Sequence, residues 1–221
     1  RTSRCSSSRR APARPLRRRP ELASPIGFWF DFSSPYGYVA AERIGDIAAR
    51  HGRDVRWRPI LLGPVFKAVG TAPLTMLPIK GEYSKRDFAR TARRLAIDFR
   101  LPEKFPVGTQ VAARAFYLID DADPARAADF ARRIYRAYFA QGRDIADPSV
   151  VLAIASEAGV DSASLAEPLK GDAVKERVRL EVEAAMAAGV FGSPFFIVDG
   201  EPFWGNDRLP DLEEWLRTGG W

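Results

Sequence analysis

The spacing of apolar positions changes twice along the chain. Residues 26–32 (IGFWFDF) form a short aromatic run typical of a buried strand, and residues 55–60 (VRWRPI) alternate like a second strand. Residues 36–52 repeat apolar positions at helical spacing up to Gly52, which predicts one helix starting near Ser34 and Pro35. This order predicts a β-α-β unit with parallel strands and a right-handed crossover.

From about residue 62 to 188 strand signals are scarce. Residues 63–81 are rich in Pro and Gly and predict a long irregular loop, a kind of segment that is usually functional when ordered. Helical patterns then follow at 84–99, 109–120, 124–142, 147–159 and 172–189. In the fourth of these, Asp147 is predicted as the N-cap and Gly159 as the stop.

Strand patterns return near the C-terminus. Residues 194–204 (PFFIVDGEPFW) predict a hairpin turning at Asp199-Gly200, and residues 207–219 predict a last helix. Because neither pair of strands is stable alone, we expect one sheet built from both ends of the chain. We therefore predict an α/β fold with a sheet domain at 25–62 and 189–221 and an inserted all-helical domain at 63–188.

The formal net charge of +6 is concentrated at the N-terminus. Residues 1–20 hold eight arginines and no acid, so the remaining chain carries 26 basic against 28 acidic residues. This excludes a basic nucleic-acid-binding surface and predicts a disordered basic tail at residues 1–24. Apolar runs of about 18 residues are missing from the sequence, so we expect no transmembrane helix and no membrane partner.

The origin of the tail is open between three interpretations. Its Arg- and Ser-rich composition is typical of an organelle transit peptide, and equally of a start assigned too far upstream or a cloning remnant. We favour the last two, because residue 1 is not Met and only composition supports import. The single cysteine, Cys5, predicts a reducing, cytoplasmic location. With His51 as the single histidine, no Cys/His metal site or Cys-His catalytic pair is expected.

Two stretches carry candidate chemistry. Ser34-Pro35 is typical of an N-cap and first helical residue, and capping alone accounts for it. The same corner offers a hydroxyl and free N–H groups to an anion or a thiolate, although the sulfur has to come from outside the folded chain. Ser193-Pro194 precedes a strand. About 5–6% of the peptide bonds before proline are cis in folded proteins, so a cis bond is a minority outcome here.

The stretches FDFSSPYGY (30–38) and GVFGSPFFIVDGEPFWGNDRL (189–209) closely resemble the family of 2-hydroxychromene-2-carboxylate isomerases and kappa-class glutathione transferases. The resemblance extends from about residue 26 to 216 and includes RPILLGPVFKAVG and DIADPSVVLAIASEAG. It implies a thioredoxin-like fold, β-α-β … β-β-α with a helical insertion, glutathione as cofactor, a small-molecule substrate and a possible homodimer. Ser34-Pro35-Tyr36-Gly37 stands where redox relatives carry Cys-x-x-Cys, so dithiol exchange is excluded.

The resemblance also implies residue roles. Ser34 would hydrogen-bond the glutathione sulfur, and Ser193 would present its backbone beside a cis Pro194. The other implied glutathione contacts are Asn206 and Asp207 at the γ-glutamyl end, Lys80 and Thr71; the implied substrate contacts are Lys67, Tyr36 and Trp204.

Several of these residues have a structural explanation as well. Asn206-Asp207 is typical of a helix cap with an acidic first turn, loop lysines are usually solvated, and Trp204 is by composition a core residue. Gly37, Ser33, Thr71 and Ser193 depart from the usual family residues, which leaves the substrate less defined than the glutathione site.

The sequence therefore predicts a glutathione-dependent cis-trans isomerase of 2-hydroxychromene-2-carboxylate-type aromatic 2-oxo acids. One alternative is a kappa-like transferase that conjugates glutathione to small electrophiles. Another is a non-catalytic thioredoxin-fold protein that binds an extended peptide at the cis-Pro edge.

Overall fold

The computed structural model describes residues 24–221. This part of the chain forms four strands and ten helices: β1 Ile26–Phe30, α1 Pro35–Ala41, α2 Ile44–Arg50, β2 Val55–Pro59, α3 Leu62–Val69, α4 Lys80–Arg94, α5 Gln110–Asp120, α6 Pro124–Phe139, α7 Pro148–Glu157, α8 Ser162–Ala166, α9 Asp172–Ala187, β3 Phe195–Val198, β4 Glu201–Trp204 and α10 Leu209–Thr218. Single 3₁₀ turns lie at Leu74–Met76, Pro168–Lys170 and Asn206–Arg208.

Both ends of the described chain contribute to one sheet of order β2-β1-β3-β4. Strands β1 and β2 are parallel, with Ile26 opposite Val55, and β1 is antiparallel to β3, with Phe28 opposite Phe196. The turn between β3 and β4 has positive φ angles at Asp199 (53°) and Gly200 (90°), as an Asp-Gly hairpin requires. The predicted β-α-β … β-β-α order and α/β fold class are confirmed.

The core joins the sheet to the helices through contacting aromatic rings. A column of rings, which we call the aromatic column, runs from Phe28 to Phe30 (4.8 Å between centroids), to Tyr135 (5.7 Å), to Phe139 (6.3 Å) and to Phe99 (5.7 Å). Aromatic pairs of this kind stabilise by about 0.5–1.5 kcal/mol beyond the area they bury. The column fixes α6, where Tyr135 and Phe139 lie, against the end of β1 that leads into α1.

The predicted loop at 63–81 is partly wrong, because residues 62–69 form helix α3. Pro64 lies in the first helical turn, where its missing N–H has no intrahelical partner to lose, and Val65 is buried. Gly70 ends the helix at φ 70°. The Pro and Gly residues here therefore mark the ends of a helix.

Three further differences concern helix bounds. The helix predicted at 36–52 is two helices, because the chain leaves the helical ladder at Glu42 and Arg43. Helix α4 occupies Lys80–Arg94 instead of 84–99 and ends before Ala96, whose φ is 53°. Helix α8 was not predicted. The caps predicted for α7 are confirmed: Asp147 accepts a hydrogen bond from Ser149 N at 2.8 Å, and Gly159 has φ 75°.

The division into a sheet domain at 25–62 and 189–221 and a helical domain at 63–188 stays a prediction. The basic tail, 1–24, lies outside the described residues apart from Ser24. Within 24–221, no helix combines the length and the hydropathy that crossing a membrane would need.

Candidate active site

Ser34 lies at the corner where β1 leads into α1. Its backbone is extended (φ −96°, ψ 113°), and its Oγ accepts a hydrogen bond from Gly37 N at 3.0 Å. Pro35 follows as the first helical residue. The predicted cap is confirmed, and it leaves the Ser34 hydroxyl hydrogen available for one acceptor.

That acceptor comes from the other end of the chain. Ser34 Oγ donates to the carbonyl oxygen of Ser193 at 3.1 Å, and the Ser193–Pro194 peptide bond is cis. The carbonyl of Pro194 in turn accepts from Gly205 N at 3.0 Å, which fixes the cis segment to the end of β4. The structure therefore brings Ser34, Ser193 and Pro194 together.

Asp31, which the sequence does not single out as a site residue, lies beneath this corner. Its carboxylate is buried and accepts from Ser33 N (2.8 Å), Leu62 N (2.7 Å) and Thr109 Oγ1 (3.0 Å). Burial raises the pKa of the Asp31 carboxyl, and the three hydrogen bonds act against that rise. One side chain thus fixes the starts of α1, α3 and α5 around the end of β1.

The backbone of Asp31 connects to two hydroxyls. Asp31 N donates to Ser193 Oγ at 3.1 Å, and the Asp31 carbonyl accepts from the Tyr135 hydroxyl at 2.9 Å. The resemblance implied that Ser193 acts through its backbone alone, so this role of its side chain was missed. The only sequence signal was the polar residue itself.

Tyr36 is partly buried between α1 and α4. Its hydroxyl donates to Asp87, and its ring packs edge-on against Phe88 at 4.8 Å. Burial and the bond to Asp87 raise the pKa of the Tyr36 hydroxyl, so it stays a neutral donor. The charge of Asp207 contributes to the same rise, and the 3₁₀ turn Asn206–Arg208 lies against α1.

Asn206 and Asp207 do not cap α10. The residue at the N-cap position of α10 is Arg208, which makes no side-chain capping bond, so the predicted capping role is wrong. Asn206 is 7% exposed. The Asp207 side chain is 69% exposed and forms an ion pair with Arg208 at 3.5 Å. This turn therefore places an amide and a solvent-exposed carboxylate side by side, where a polar ligand can reach the carboxylate.

Lys67, Thr71 and Lys80 are exposed residues of α3, the following loop and the start of α4. Within the described part of the chain their side chains form no hydrogen bond or ion pair. The structure does not bring them into contact with Ser34 or Ser193.

Trp204 is not a core residue. It is 54% exposed, and its ring packs edge-on against Phe191 at 4.8 Å. Its Nε1 lies over Gly192, where an added Cβ would be 2.5 Å away. The exposed position follows from the register of β4, in which Phe203 faces inward and Trp204 outward. The indole thus forms a wall beside the segment that carries Ser193.

Residues 25–217 match the family of DSBA-like thioredoxin domains. The chain is 29% identical over 198 residues to 2-hydroxychromene-2-carboxylate isomerase from Sphingobium xenophagum, covering 88% of this chain and 99% of the relative. It is 27% identical over 212 residues to human glutathione S-transferase kappa 1, covering 88% and 94%. A solved structure of 2-hydroxychromene-2-carboxylate isomerase superposes with a TM-score of 0.78 at 29% identity, covering 86% of this chain and 92% of that one.

Proposed function

Because the chain belongs to the family of DSBA-like thioredoxin domains, we propose that it is a glutathione-dependent cis-trans isomerase of 2-hydroxychromene-2-carboxylate-type aromatic 2-oxo acids. One observation carries the proposal. The Ser34 hydroxyl lies 3.1 Å from the Ser193 carbonyl beside a cis Pro194, and residues 24–221 contain no cysteine. The chain thus supplies a hydroxyl where disulfide chemistry would need a thiol.

The residues present fit glutathione. Ser34 offers a hydroxyl for the sulfur, and the Ser193 backbone offers polar groups for a peptide unit. The Asn206 amide is nearly buried, and the exposed Asp207 carboxylate, which pairs with Arg208 at 3.5 Å, can accept from an ammonium group as well. For Thr71 and Lys80 a role in binding glutathione stays a prediction.

The role of Ser34 follows from its hydrogen bonds. Its hydroxyl donates to a neutral carbonyl, and a hydrogen bond to an anion is about twice as strong. Rotation of one O–H bond would therefore direct the donor to a bound thiolate and lower the thiol pKa by about 1 unit. When bound, glutathione would supply a thiolate that adds to one carbon of a conjugated double bond. The carbon–carbon bond would then be single and could rotate, and the double bond would re-form as the thiolate leaves.

The substrate side is assigned to Tyr36, Lys67 and Trp204. The Tyr36 hydroxyl is engaged with Asp87, so its ring edge is the part left for a substrate. The exposed indole of Trp204 offers an aromatic face, and the ammonium group of Lys67 a counter-charge for a carboxylate. Aromatic and anionic groups are the two features of the proposed substrate.

Similarity to a kappa-class transferase favours a second candidate function, conjugation of glutathione to a small electrophile. The two functions differ in whether glutathione is consumed. A third possibility, a peptide-binding protein, predicts no turnover and affinity for unfolded chains.

The deciding experiment follows cis-trans isomerisation of the chromene acid with and without glutathione while total glutathione is measured. We expect turnover only with glutathione, and no net loss of it. Stoichiometric loss in the presence of an electrophile would support the transferase instead. If calorimetry at millimolar glutathione detected no binding, both enzyme proposals would be wrong.

A further inference from the structure

We infer that the side chains of Tyr135 and Ser193 form a positioning pair that holds the Ser193 carbonyl, and through it the Ser34 hydroxyl, in place. Neither side chain needs to touch a ligand for this role. The inference rests on the proposed function for its chemical purpose, because Ser34 is the group that would meet the sulfur.

Two hydrogen bonds attach this pair to the main chain of Asp31. Asp31 N donates to Ser193 Oγ (3.1 Å), and the Tyr135 hydroxyl donates to the Asp31 carbonyl (2.9 Å). The same carbonyl accepts from Ser34 N at 2.9 Å, so Tyr135, Ser193 and Ser34 are all bonded to one residue. Burial raises the pKa of Tyr135 well above its ordinary value, so the phenol stays protonated and keeps its bond to Asp31 at working pH.

These bonds limit where the Ser193 carbonyl lies. The Ser193 side chain is bonded to the Asp31 backbone just after β1, and Tyr135 of α6 holds the carbonyl of the same aspartate, so the Ser193 backbone has little freedom. Its carbonyl accepts from Ser34 Oγ at 3.1 Å, and the same Oγ accepts from Gly37 N at 3.0 Å. A displaced Ser193 carbonyl would therefore turn the Ser34 hydroxyl and weaken its bond to Gly37.

Gly37 leaves room for this arrangement. A Cβ at position 37 would overlap the Tyr135 hydroxyl and lie 3.0 Å from Ser193 Oγ and 3.1 Å from Ser34 Cβ. Real Cβ atoms almost never approach another atom as closely as this one would approach the Tyr135 hydroxyl. The absence of a side chain at position 37 is thus what admits the Tyr135 hydroxyl to the corner.

The test compares Tyr135→Phe and Ser193→Ala with Tyr117→Phe in the full-length protein. Tyr117 is a matched control, because it is also buried and its hydroxyl donates to a main-chain carbonyl, that of Pro59, at 2.8 Å. The first readout is amide hydrogen exchange at Gly37, whose N–H is bonded to Ser34 Oγ. We expect exchange about tenfold faster in Tyr135→Phe and Ser193→Ala, and within about twofold of wild type in Tyr117→Phe.

The second readout is the pH titration of bound glutathione, followed by the ultraviolet absorbance of its thiolate. In Tyr135→Phe we expect the thiol pKa to move back towards its free value and kcat to fall about tenfold with KM within about twofold. Unchanged Gly37 exchange in Tyr135→Phe, or equal acceleration in Tyr117→Phe, would overturn the inference. If wild type bound no glutathione, the proposed function would fail, whereas the exchange data would still decide the positioning role.

Discussion

Two regions beside α1 are built in opposite ways. The hydroxyl corner is formed by Asp31, Ser34, Gly37, Tyr135 and Ser193. It is internally bonded and, apart from the half-buried Ser193, buried; Ser34 is 6% exposed and Asp31 5%. The α3–α4 segment, residues 62–83, displays apolar side chains to solvent: Ile79 is 94% exposed, Met76 65% and Tyr83 63%.

The contrast suggests that the hydroxyl corner fixes the geometry around Ser34, whereas the α3–α4 segment affects which ligand binds. In the corner every hydroxyl has a fixed partner, so the geometry around Ser34 is set before any ligand arrives. In the α3–α4 segment, exposed apolar groups and lysines have few fixed partners and can adapt to what binds. We therefore expect changes in the corner to alter rate and stability, and changes in the segment to alter affinity.

Replacing Ser34 should have the largest effect on rate. Ser34→Ala removes the proposed thiolate donor, and we expect kcat to fall by about 100-fold or more, since loss of one preorganised donor typically costs that much. Loss of the cap should reduce the free energy of unfolding by about 1 kcal/mol. Steady-state kinetics and urea denaturation measure the two effects.

Asp147→Ala provides the matched control for Ser34→Ala. It removes a cap of similar strength from α7, where Asp147 accepts from Ser149 N at 2.8 Å. It should cost about 1 kcal/mol without a change in rate. Equal activity of wild type and Ser34→Ala would contradict the role assigned to Ser34.

Adding a methyl group at position 37 should have the largest effect on stability. Gly37→Ala overfills the space taken by the Tyr135 hydroxyl, and we expect a loss of about 2 kcal/mol of unfolding free energy. In a Tyr135→Phe background the loss should be about half as large, because the overlapping oxygen is gone. Thermal and urea unfolding of the two single variants and the double variant measure this coupling.

Gly45→Ala is the control for Gly37→Ala. Gly45 lies in α2, and a Cβ there meets no atom within 4 Å, so the substitution should stabilise by about 0.5–1 kcal/mol. Additive effects of Gly37→Ala and Tyr135→Phe would show that the two residues do not share space.

Asp31 makes the free energy of unfolding depend on pH, and the direction of that dependence follows from its pKa. Burial raises the pKa of the folded carboxyl above the ordinary 3.8, so the folded state binds the proton more tightly than the unfolded state. Stability should therefore fall as pH rises from the ordinary value through the folded pKa. Asp31→Asn should lack this slope and cost about 1–3 kcal/mol at low pH, because Leu62 N then faces an amide donor.

Urea denaturation of wild type and Asp31→Asn over a pH series measures the difference between their unfolding free energies. A gap that widens in favour of wild type as pH rises would contradict the assigned direction.

The α3–α4 segment should give the smallest effects. Lys67→Ala and Lys80→Ala remove exposed charges, so we expect stability within about 0.5 kcal/mol of wild type. KM should rise about fivefold, for the substrate with Lys67→Ala and for glutathione with Lys80→Ala, while kcat is unchanged.

Lys170→Ala is the control for both, since Lys170 is an exposed lysine paired with Glu167 in the short turn after α8. If Lys67→Ala and Lys80→Ala left KM unchanged, the segment would have no part in binding.

The elements that the sequence predicts well are those defined by neighbouring residues. Asp199-Gly200 specifies its hairpin locally, and Asp147, Pro148 and Gly159 mark both ends of α7. Helix α3 was missed because Pro64 weighs against a helix until its place in the first turn is known. The break at Glu42 and Arg43 has no comparable local signal.

The residues of the candidate site also differ in how well the sequence predicts them. Ser34 and the Ser193–Pro194 pair stand out as motifs, so the sequence led to the corner. Tyr135 and Asp31 are 104 residues apart, and Asp31 and Ser193 are 162 apart, so their hydrogen bonds depend on the folded topology. An aspartate at the end of an apolar strand and a tyrosine on a helix are both common, and their neighbours along the chain do not indicate that the two residues meet.

The aromatic column has a mechanical consequence. Phe30 of β1 contacts Tyr135 of α6, and Phe139 continues the contact to Phe99, so a hinge between sheet and helices would have to separate these packed side chains. We therefore expect the sheet and the helices to move as one unit. Heating should accordingly melt sheet and helices in a single calorimetric peak.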